Sequence, residues 1–255
     1  MSKQIVIVGA VAAGPKAACR LMRLRPDWHV TMVDQDSLIS YGGCGIPYYV
    51  SGDVSDESEL RATSFHVVRD AAFFKRSKGV KVMTRTRALA IDRQARTVRV
   101  QHLDSGEQQD LPYDQLMLAT GSKPFELPIP GAQLDGVFTI ANLHKAIEIK
   151  ARIAQGKVSR AVVIGGGAIG IEMAEALTDL WGIETTLLEL APQLLPRIVD
   201  WHFAAMLKKH LQEKGVAVYA RESAPELLND GQGKVCGVKT GQRTLEPDLV
   251  LMAVG

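Results

Sequence analysis

Residues 161–177 read AVVIGGGAIGIEMAEAL, and this stretch decides the fold. A β-branched apolar run, Ala161 to Ile164, enters a glycine cluster from Gly165 to Gly170, and a helical pattern then runs to about Leu180. A second strand, Thr185 to Glu189, ends in an acid 19 residues after Gly170. Gly165, Gly167 and Gly170 fit GxGxxG: one glycine makes the tight turn, one lets backbone approach a pyrophosphate, and one packs helix on strand. Ala168 and Ile169 complete the turn into the helix, whose free N–H groups and partial positive charge suit phosphates. Glu189 would accept hydrogen bonds from a ribose 2′-hydroxyl and repel a 2′-phosphate, so NADH is favoured over NADPH.

The same grammar occurs earlier in the chain. Ile5 to Val8 leads into Gly9–Gly14, a helix runs to about Leu24, and Val30 to Asp34 ends in an acid 20 residues after Gly14. Val11 stands where the middle glycine belongs, so this fingerprint is degenerate and also suits a plain strand-to-helix turn. Asp34 and the echo with the second unit favour a nucleotide such as FAD. A further echo pairs LMLATG, 116–121, with VLMAVG, 250–255. The fold expected is α/β, two Rossmann-like three-layer dinucleotide-binding domains. They would occupy 1–122 and 141–255, joined by a linker over 123–140 whose first part, Lys123 to Gly136, holds three prolines and two glycines. Strands are expected at Val80–Met83, Ala88–Asp92, Thr97–His102, Val216–Tyr219, Val235–Lys239 and Leu249–Ala253, and helices from Asn142 to about Ala154 and over 200–214.

Composition is that of a globular protein: 255 residues, 46% hydrophobic and 23% charged, enough for about two domains. Thirty Lys and Arg against 28 Asp and Glu leave +2, so no global field recruits nucleic acid or an anionic membrane. Three cysteines without a CxxC pair argue against a disulfide framework and against a metal site. The N-terminus MSKQIVIVGA is too short for a signal segment, and no later stretch stays apolar for a membrane span, so a cytoplasmic protein is expected.

Ten residues past Asp34 comes SYGGCGIPYYVSG, 40–52. Glycines on both sides leave Cys44 open, and a helix starting near it would favour the thiolate. The partner of a dithiol pair would stand a few residues on, but position 49 is Tyr49. A lone cysteine can take flavin electrons only through an external sulfur or oxygen, as a mixed disulfide, persulfide or sulfenic acid. Cys19 and Cys236 read as small buried apolar residues. Lys16, Arg20 and Arg23 fall at i, i+4 and i+7 and share one helix face, which from spacing alone suits solvent or the phosphates of a ligand. The six histidines form no catalytic constellation and read as structural or solvent-facing.

GAVAAG, SYGGCGIPYYVSG, LATGSKPFELPIPG, VVIGGGAIGIEMAEAL and LVLMAVG occur in one order along essentially the whole chain. Together they resemble the single-cysteine pyridine nucleotide-disulfide oxidoreductases, most closely the coenzyme A-disulfide reductase and NADH-dependent persulfide reductase branch. The resemblance implies an FAD-dependent, NAD(P)H-driven enzyme in which electrons pass from NADH through flavin to a Cys44 mixed disulfide. It implies that Gly9, Ala13 and Gly14 pass the FAD pyrophosphate and that Asp34 and Gln35 hold its adenosine ribose. Ala119, Thr120 and Gly121 would make a return contact, with Gly255 in the matching place of the second unit. Glu172 resembles a glutamate near the nicotinamide. Coenzyme A would meet Lys16, Arg20, Arg23, Ser40, Gly43 and Lys78, although Gly43 replaces a common asparagine. Ala168 stands where many relatives place a gating tyrosine.

Two rival readings are an NADH oxidase or peroxidase working through a cysteine sulfenic acid, and a non-catalytic dinucleotide-binding fragment. Ala12, where the oxidase branch carries histidine, and the PYY after the cysteine favour the sulfur reductase. Relatives continue past the position of Gly255 with a flavin-contact segment and a C-terminal dimerisation domain that makes them homodimers. The expectation is therefore that this chain is part of a longer enzyme.

Overall fold

The computed structural model describes residues 2–140 and 142–254. In chain order its elements begin with β1 (Gln4–Val8), α1 (Ala13–Leu24), β2 (His29–Val33) and α2 (Ile46–Ser51). There follow α3 (Ala71–Lys78), β3 (Lys81–Met83), β4 (Thr86–Asp92), β5 (Thr97–His102), β6 (Gln108–Pro112) and β7 (Gln115–Leu118). Next come β8 (Val137–Thr139), α4 (Leu143–Ala154), β9 (Arg160–Ile164), α5 (Ala168–Asp179) and β10 (Glu184–Glu189). The last are α6 (Trp201–Glu213), β11 (Ala217–Ala220), β12 (Glu226–Asn229), β13 (Val235–Lys239), β14 (Thr244–Leu245) and β15 (Leu249–Met252). They form two compact units, 1–43 with 56–122, and 44–55 with 123–255.

In the first unit β1 lies between β2 and β7, all parallel, with β3 beyond β2. Successive side chains of a strand face opposite ways, and β1 uses both faces. Ile5 and Ile7 pack with Ala18 of α1 and Phe74 of α3, whereas Val6 packs with Val98 and Val100 of the antiparallel β4-β5-β6 sheet. Helices, parallel sheet and antiparallel sheet therefore make three layers. The second unit repeats the plan. Its parallel sheet runs β11-β10-β9-β15-β8, α5 packs on β9 and β10, and Val162, Ile164 and Leu188 meet Val235 and Val238 of the β12-β13-β14 sheet.

The two echoed segments, β7 and β15, do the same job: each pairs in parallel with the strand that leads into its unit's glycine loop, β1 or β9. In both sheets that strand, β1 or β9, is thus flanked by strands reached in opposite directions, and ligands of open α/β sheets bind at the carboxyl end of that switch point. The segment expected as a linker holds β8, three residues that pair with β15 and bury Phe138. Three residues are too few for any periodicity to reveal them. Among the described residues no helix is long and apolar enough to cross a membrane.

Candidate dinucleotide and thiol sites

The glycine clusters have the same geometry in both units. Gly9 and Gly165 adopt φ +109° and +113°, and a Cβ there would lie 2.1 Å from the Ala119 carbonyl oxygen and 2.5 Å from that of Ala253. Gly14 and Gly170 let a helix touch its own loop, since a Cβ on either would sit 1.9 Å from the oxygen of Gly9 or Gly165. Around Gly167 the same test finds open space, and Val11, half-buried, occupies that position in the first unit. Open backbone at Gly167 is what a pyrophosphate needs for close approach.

Both acids close their own loop. Asp34 accepts from Ala10 N–H at 2.6 Å and Asp36 N–H at 2.9 Å, and Glu189 accepts from Gly166 N–H and Ala191 N–H, each at 2.6 Å. The strands beyond continue the repeat: Thr86 N–H donates to the Asp34 carbonyl at 2.8 Å, and Glu222 N–H to that of Glu189 at 3.0 Å. Thr86 and Glu222 are both buried, and the Glu222 carboxylate is met by Thr240 Oγ1 at 2.7 Å and Arg243 Nε at 2.9 Å. A cavity of about 150 Å³ opens beside Gly9, Asp34, Gln35 and Thr120, and Arg87, unmarked by any motif, donates to Gln35 Oε1 at 3.1 Å on its rim.

Helix capping separates the helices after the glycine loops from α3, α4 and α6, although the short α2 likewise lacks a side-chain cap. The N-termini of α3, α4 and α6 are capped by Asp70, Asn142 and Asp200 side chains. Helices α1 and α5, which follow the glycine loops, have Ala12 and Gly167 at the cap, no side-chain hydrogen bond and no acid in the first turn. Their terminal N–H groups stay available for an anion. A loop with room at Gly167, a fixed acid and an uncapped helix fits the phosphate and ribose of a bound dinucleotide. Ala13, Ala168, Ile169, Thr120 and Gly121 are exposed around these loops, with Ala119 half-buried. Gly255 lies outside the described residues.

Cys44 is exposed on the 3₁₀ turn Gly43–Gly45 that leads into α2. Gly52 stops that short helix with φ +103°. Two side chains hold the helix and the residues after it within the second unit. Trp181 Nε1 donates to the Val50 carbonyl at 2.7 Å, Lys150 Nζ donates to the carbonyls of Val54 and Ser55 at 2.8 and 3.0 Å, and the same ammonium stands 4.0 Å over the Tyr49 ring. Tyr49 is buried where a second redox cysteine would stand, so this helix offers no internal disulfide partner. Glu172, exposed on α5, borders a groove of about 290 Å³ with Tyr48, Ser51, Asp53, Glu175 and Asp179. The other cysteines differ from expectation. Cys19 is half-buried, and Cys236 is exposed because Val235 takes the core face of β13 and turns its neighbour outward. The Cys236 thiol lies 3.6 Å from the Leu228 carbonyl.

In the first unit Lys16, Arg23, Ser40 and Lys78 line a cavity of about 440 Å³. Arg20 and Gly43 do not line it, although both are exposed. Sequence reading missed Arg69, which sits in an aperiodic stretch. Its guanidinium donates to the carbonyls of Arg61 and Leu60 at 3.0 and 3.3 Å, so the fourth cation of this cavity is held by backbone. Phe73 adds an apolar wall. Among the described residues no cluster of His, Cys, Asp and Glu could hold a metal.

The family model for pyridine nucleotide-disulphide oxidoreductases matches residues 3–255. The chain belongs to this family. Among its relatives are a NADH oxidase of Methanocaldococcus jannaschii, 30% identical over 98% of the chain, and a NAD(P)H coenzyme A polysulfide/persulfide reductase of Pyrococcus horikoshii, 31% identical over 100%. The chain spans about half of each, 54%. A solved NAD-dependent persulfide reductase from A. fulgidus superposes with TM-score 0.93 at 36% identity, over 99% of this chain and 46% of that one.

Proposed function

We propose that this chain carries the dinucleotide-binding units of a flavoprotein that uses NADH to reduce coenzyme A disulfides or persulfides through Cys44. The observation that carries the reading is an exposed Cys44 on a glycine-flanked turn with buried Tyr49 in place of a second thiol. A thiol with no second cysteine on its helix turns over through an external sulfur or oxygen, and a disulfide or persulfide substrate supplies that sulfur as a mixed disulfide. The Cys44 thiolate attacks the substrate's S–S bond, a thiol or hydrosulfide leaves, and two electrons reopen the Cys44 disulfide to release the second product. FAD, when bound, relays those electrons from reduced nicotinamide.

Gly9, Gly14 and Asp34 would hold FAD, and Gly165, Gly167, Gly170 and Glu189 would hold NADH. The anionic Glu189, fixed by two backbone N–H groups, supports a preference against a 2′-phosphate. The four cations around the first-unit cavity support coenzyme A, whose phosphates carry complementary charge, and Gly42 of that cavity precedes Cys44 by two residues. The family resemblance extends the reading to a homodimer. The oxidase reading is supported by the Methanocaldococcus jannaschii relative's name. Anaerobic titration of the purified flavoprotein separates the two: NADH bleaches the flavin, coenzyme A disulfide restores its colour, and Cys44→Ser stays bleached. Restoration by oxygen alone, with no response to the disulfide, would favour the oxidase.

A further inference from the structure

A small hairpin projects from the first unit between the 3₁₀ segment Glu57–Arg61 and α3. Ala62 and Val68 form an antiparallel bridge, and Arg69 N–H donates to the Arg61 carbonyl at 2.9 Å, closing its base. Thr63 organises the tip: its N–H reaches the Val67 carbonyl at 2.9 Å, and its Oγ1 accepts from Phe65 and Val67 N–H at 3.3 and 3.2 Å. His66 is held at φ +57°. This order presents Phe65, 85% exposed, and Val67, 50% exposed, to solvent. A single exposed aromatic needs no explanation. Here, however, both feet of the hairpin, Thr63 and Arg69, line the cavity that holds Lys16, Arg23 and Lys78. A pre-ordered loop rooted at Thr63 and Arg69 in the wall of a cavity whose four cations suit a polyphosphate therefore presents an aromatic ring two residues beyond a lining residue. Phosphate-binding cations beside a presented aromatic ring are the two parts needed to grip a nucleotide.

We infer that the 62–68 hairpin is the base-recognition element of the thiol-substrate cavity, with Phe65 stacking on the purine while Lys16, Arg23, Arg69 and Lys78 take the phosphates. This inference rests on the coenzyme A reading above and adds a residue that reads the nucleotide half of the substrate. Arginine and lysine alone would accept any polyphosphate; a stacking ring at the rim makes the site prefer one carrying a base.

The test uses the purified flavoprotein and two probes. Coenzyme A disulfide contains the nucleotide and pantethine disulfide lacks it, while adenosine 3′,5′-bisphosphate supplies the nucleotide half alone as a competitive inhibitor. Base stacking predicts that Phe65→Ala weakens bisphosphate inhibition about tenfold and lowers the preference for coenzyme A disulfide over pantethine disulfide by a similar factor, in KM rather than kcat. Phe65→Tyr keeps most of both. Arg23→Ala is the control for the underlying reading. If Arg23→Ala weakens inhibition and Phe65→Ala does not, the hairpin assignment is overturned and the coenzyme A reading stands. If the bisphosphate fails to inhibit the parent enzyme, both fall.

Discussion

Glycine at positions 167 and 170 serves two separable purposes, and alanine at each should fail in a different assay. A Cβ on residue 170 would stand 1.9 Å from the Gly165 carbonyl oxygen, against a normal C···O separation of roughly 3.3 Å. That oxygen is backbone, in a loop fixed by Gly165 N–H on the Leu188 carbonyl at 2.8 Å, so no side chain can swing aside. Helix α5 would have to retreat by more than about 1 Å from β9, loosening the buried Ile171, Met173 and Leu177. Overpacking of this kind costs about 2–3 kcal/mol. With a urea slope near 2 kcal/mol/M, Gly170→Ala should move the unfolding midpoint down by about 1 M. Gly167→Ala meets nothing within 4 Å and already has φ −78°, so the midpoint should change by no more than about 0.5 kcal/mol of stability. Its methyl would instead occupy the space a pyrophosphate needs, raising the KM for NADH by about tenfold or more. Urea unfolding followed by tryptophan fluorescence, beside NADH kinetics, reads both. An unshifted midpoint for Gly170→Ala, or an unshifted KM for Gly167→Ala, would refute the reasoning.

Glu189→Ala frees the N–H groups of Gly166 and Ala191 and removes the carboxylate proposed to meet the ribose; NADH KM should rise about tenfold while the NADPH/NADH ratio of kcat/KM increases, and an unchanged ratio would remove Glu189 from cofactor choice. Trp181→Phe deletes the donor to the Val50 carbonyl, costs about 1–2 kcal/mol, and should speed hydrogen exchange across 46–54; unaltered protection there would show that α2 is held by other contacts. The Arg152 guanidinium, hydrogen-bonded to Asp135, holds that carboxyl below its ordinary range. A folded-state value below the unfolded one means that the stabilisation is present above about pH 4 and is lost as pH falls through the folded value. Asp135→Asn should therefore be slightly less stable than the parent near neutrality and converge with it in acid, by under about 1 kcal/mol because the Asp135 side chain is exposed to solvent; a gap that stays constant down to about pH 3 would contradict this.

Much of the fold was legible because the two units use one local code. A β-branched strand, spaced glycines and a terminal acid are short-range features, and they led to β1, α1, β2 and to β9, α5, β10 within a residue or so of their observed ends, except that both helices start two to three residues earlier, inside the glycine clusters at Ala13 and Ala168. The antiparallel layers were less legible. The stretch Gln108–Pro112 is polar and holds its place by pairing with β5, and Thr244–Leu245 is two residues long. Helix α3, with its FFKRSK run, has too few apolar positions to mark a helix, although Asp70 caps it and Gly79 ends it. The attachment of α2 to the second unit depends on Lys150 and Trp181, about a hundred residues away in sequence or more, and no local pattern announces it. Within the candidate site, Lys16 and Arg23 could be named from helical spacing, and Ser40 and Lys78 from the family resemblance. Arg69 could not, since its place in the cavity is set by backbone carbonyls of the preceding turn.

The central claim is that Cys44 alone carries the sulfur chemistry, and intact-protein and peptide mass spectrometry tests it most directly. After anaerobic exposure to one equivalent of coenzyme A disulfide, the oxidised flavoprotein should carry a single coenzyme A on the peptide containing Cys44, and one equivalent of NADH should discharge it. An adduct found instead on Cys19 or Cys236, or one on Cys44 that survives NADH, would contradict the account.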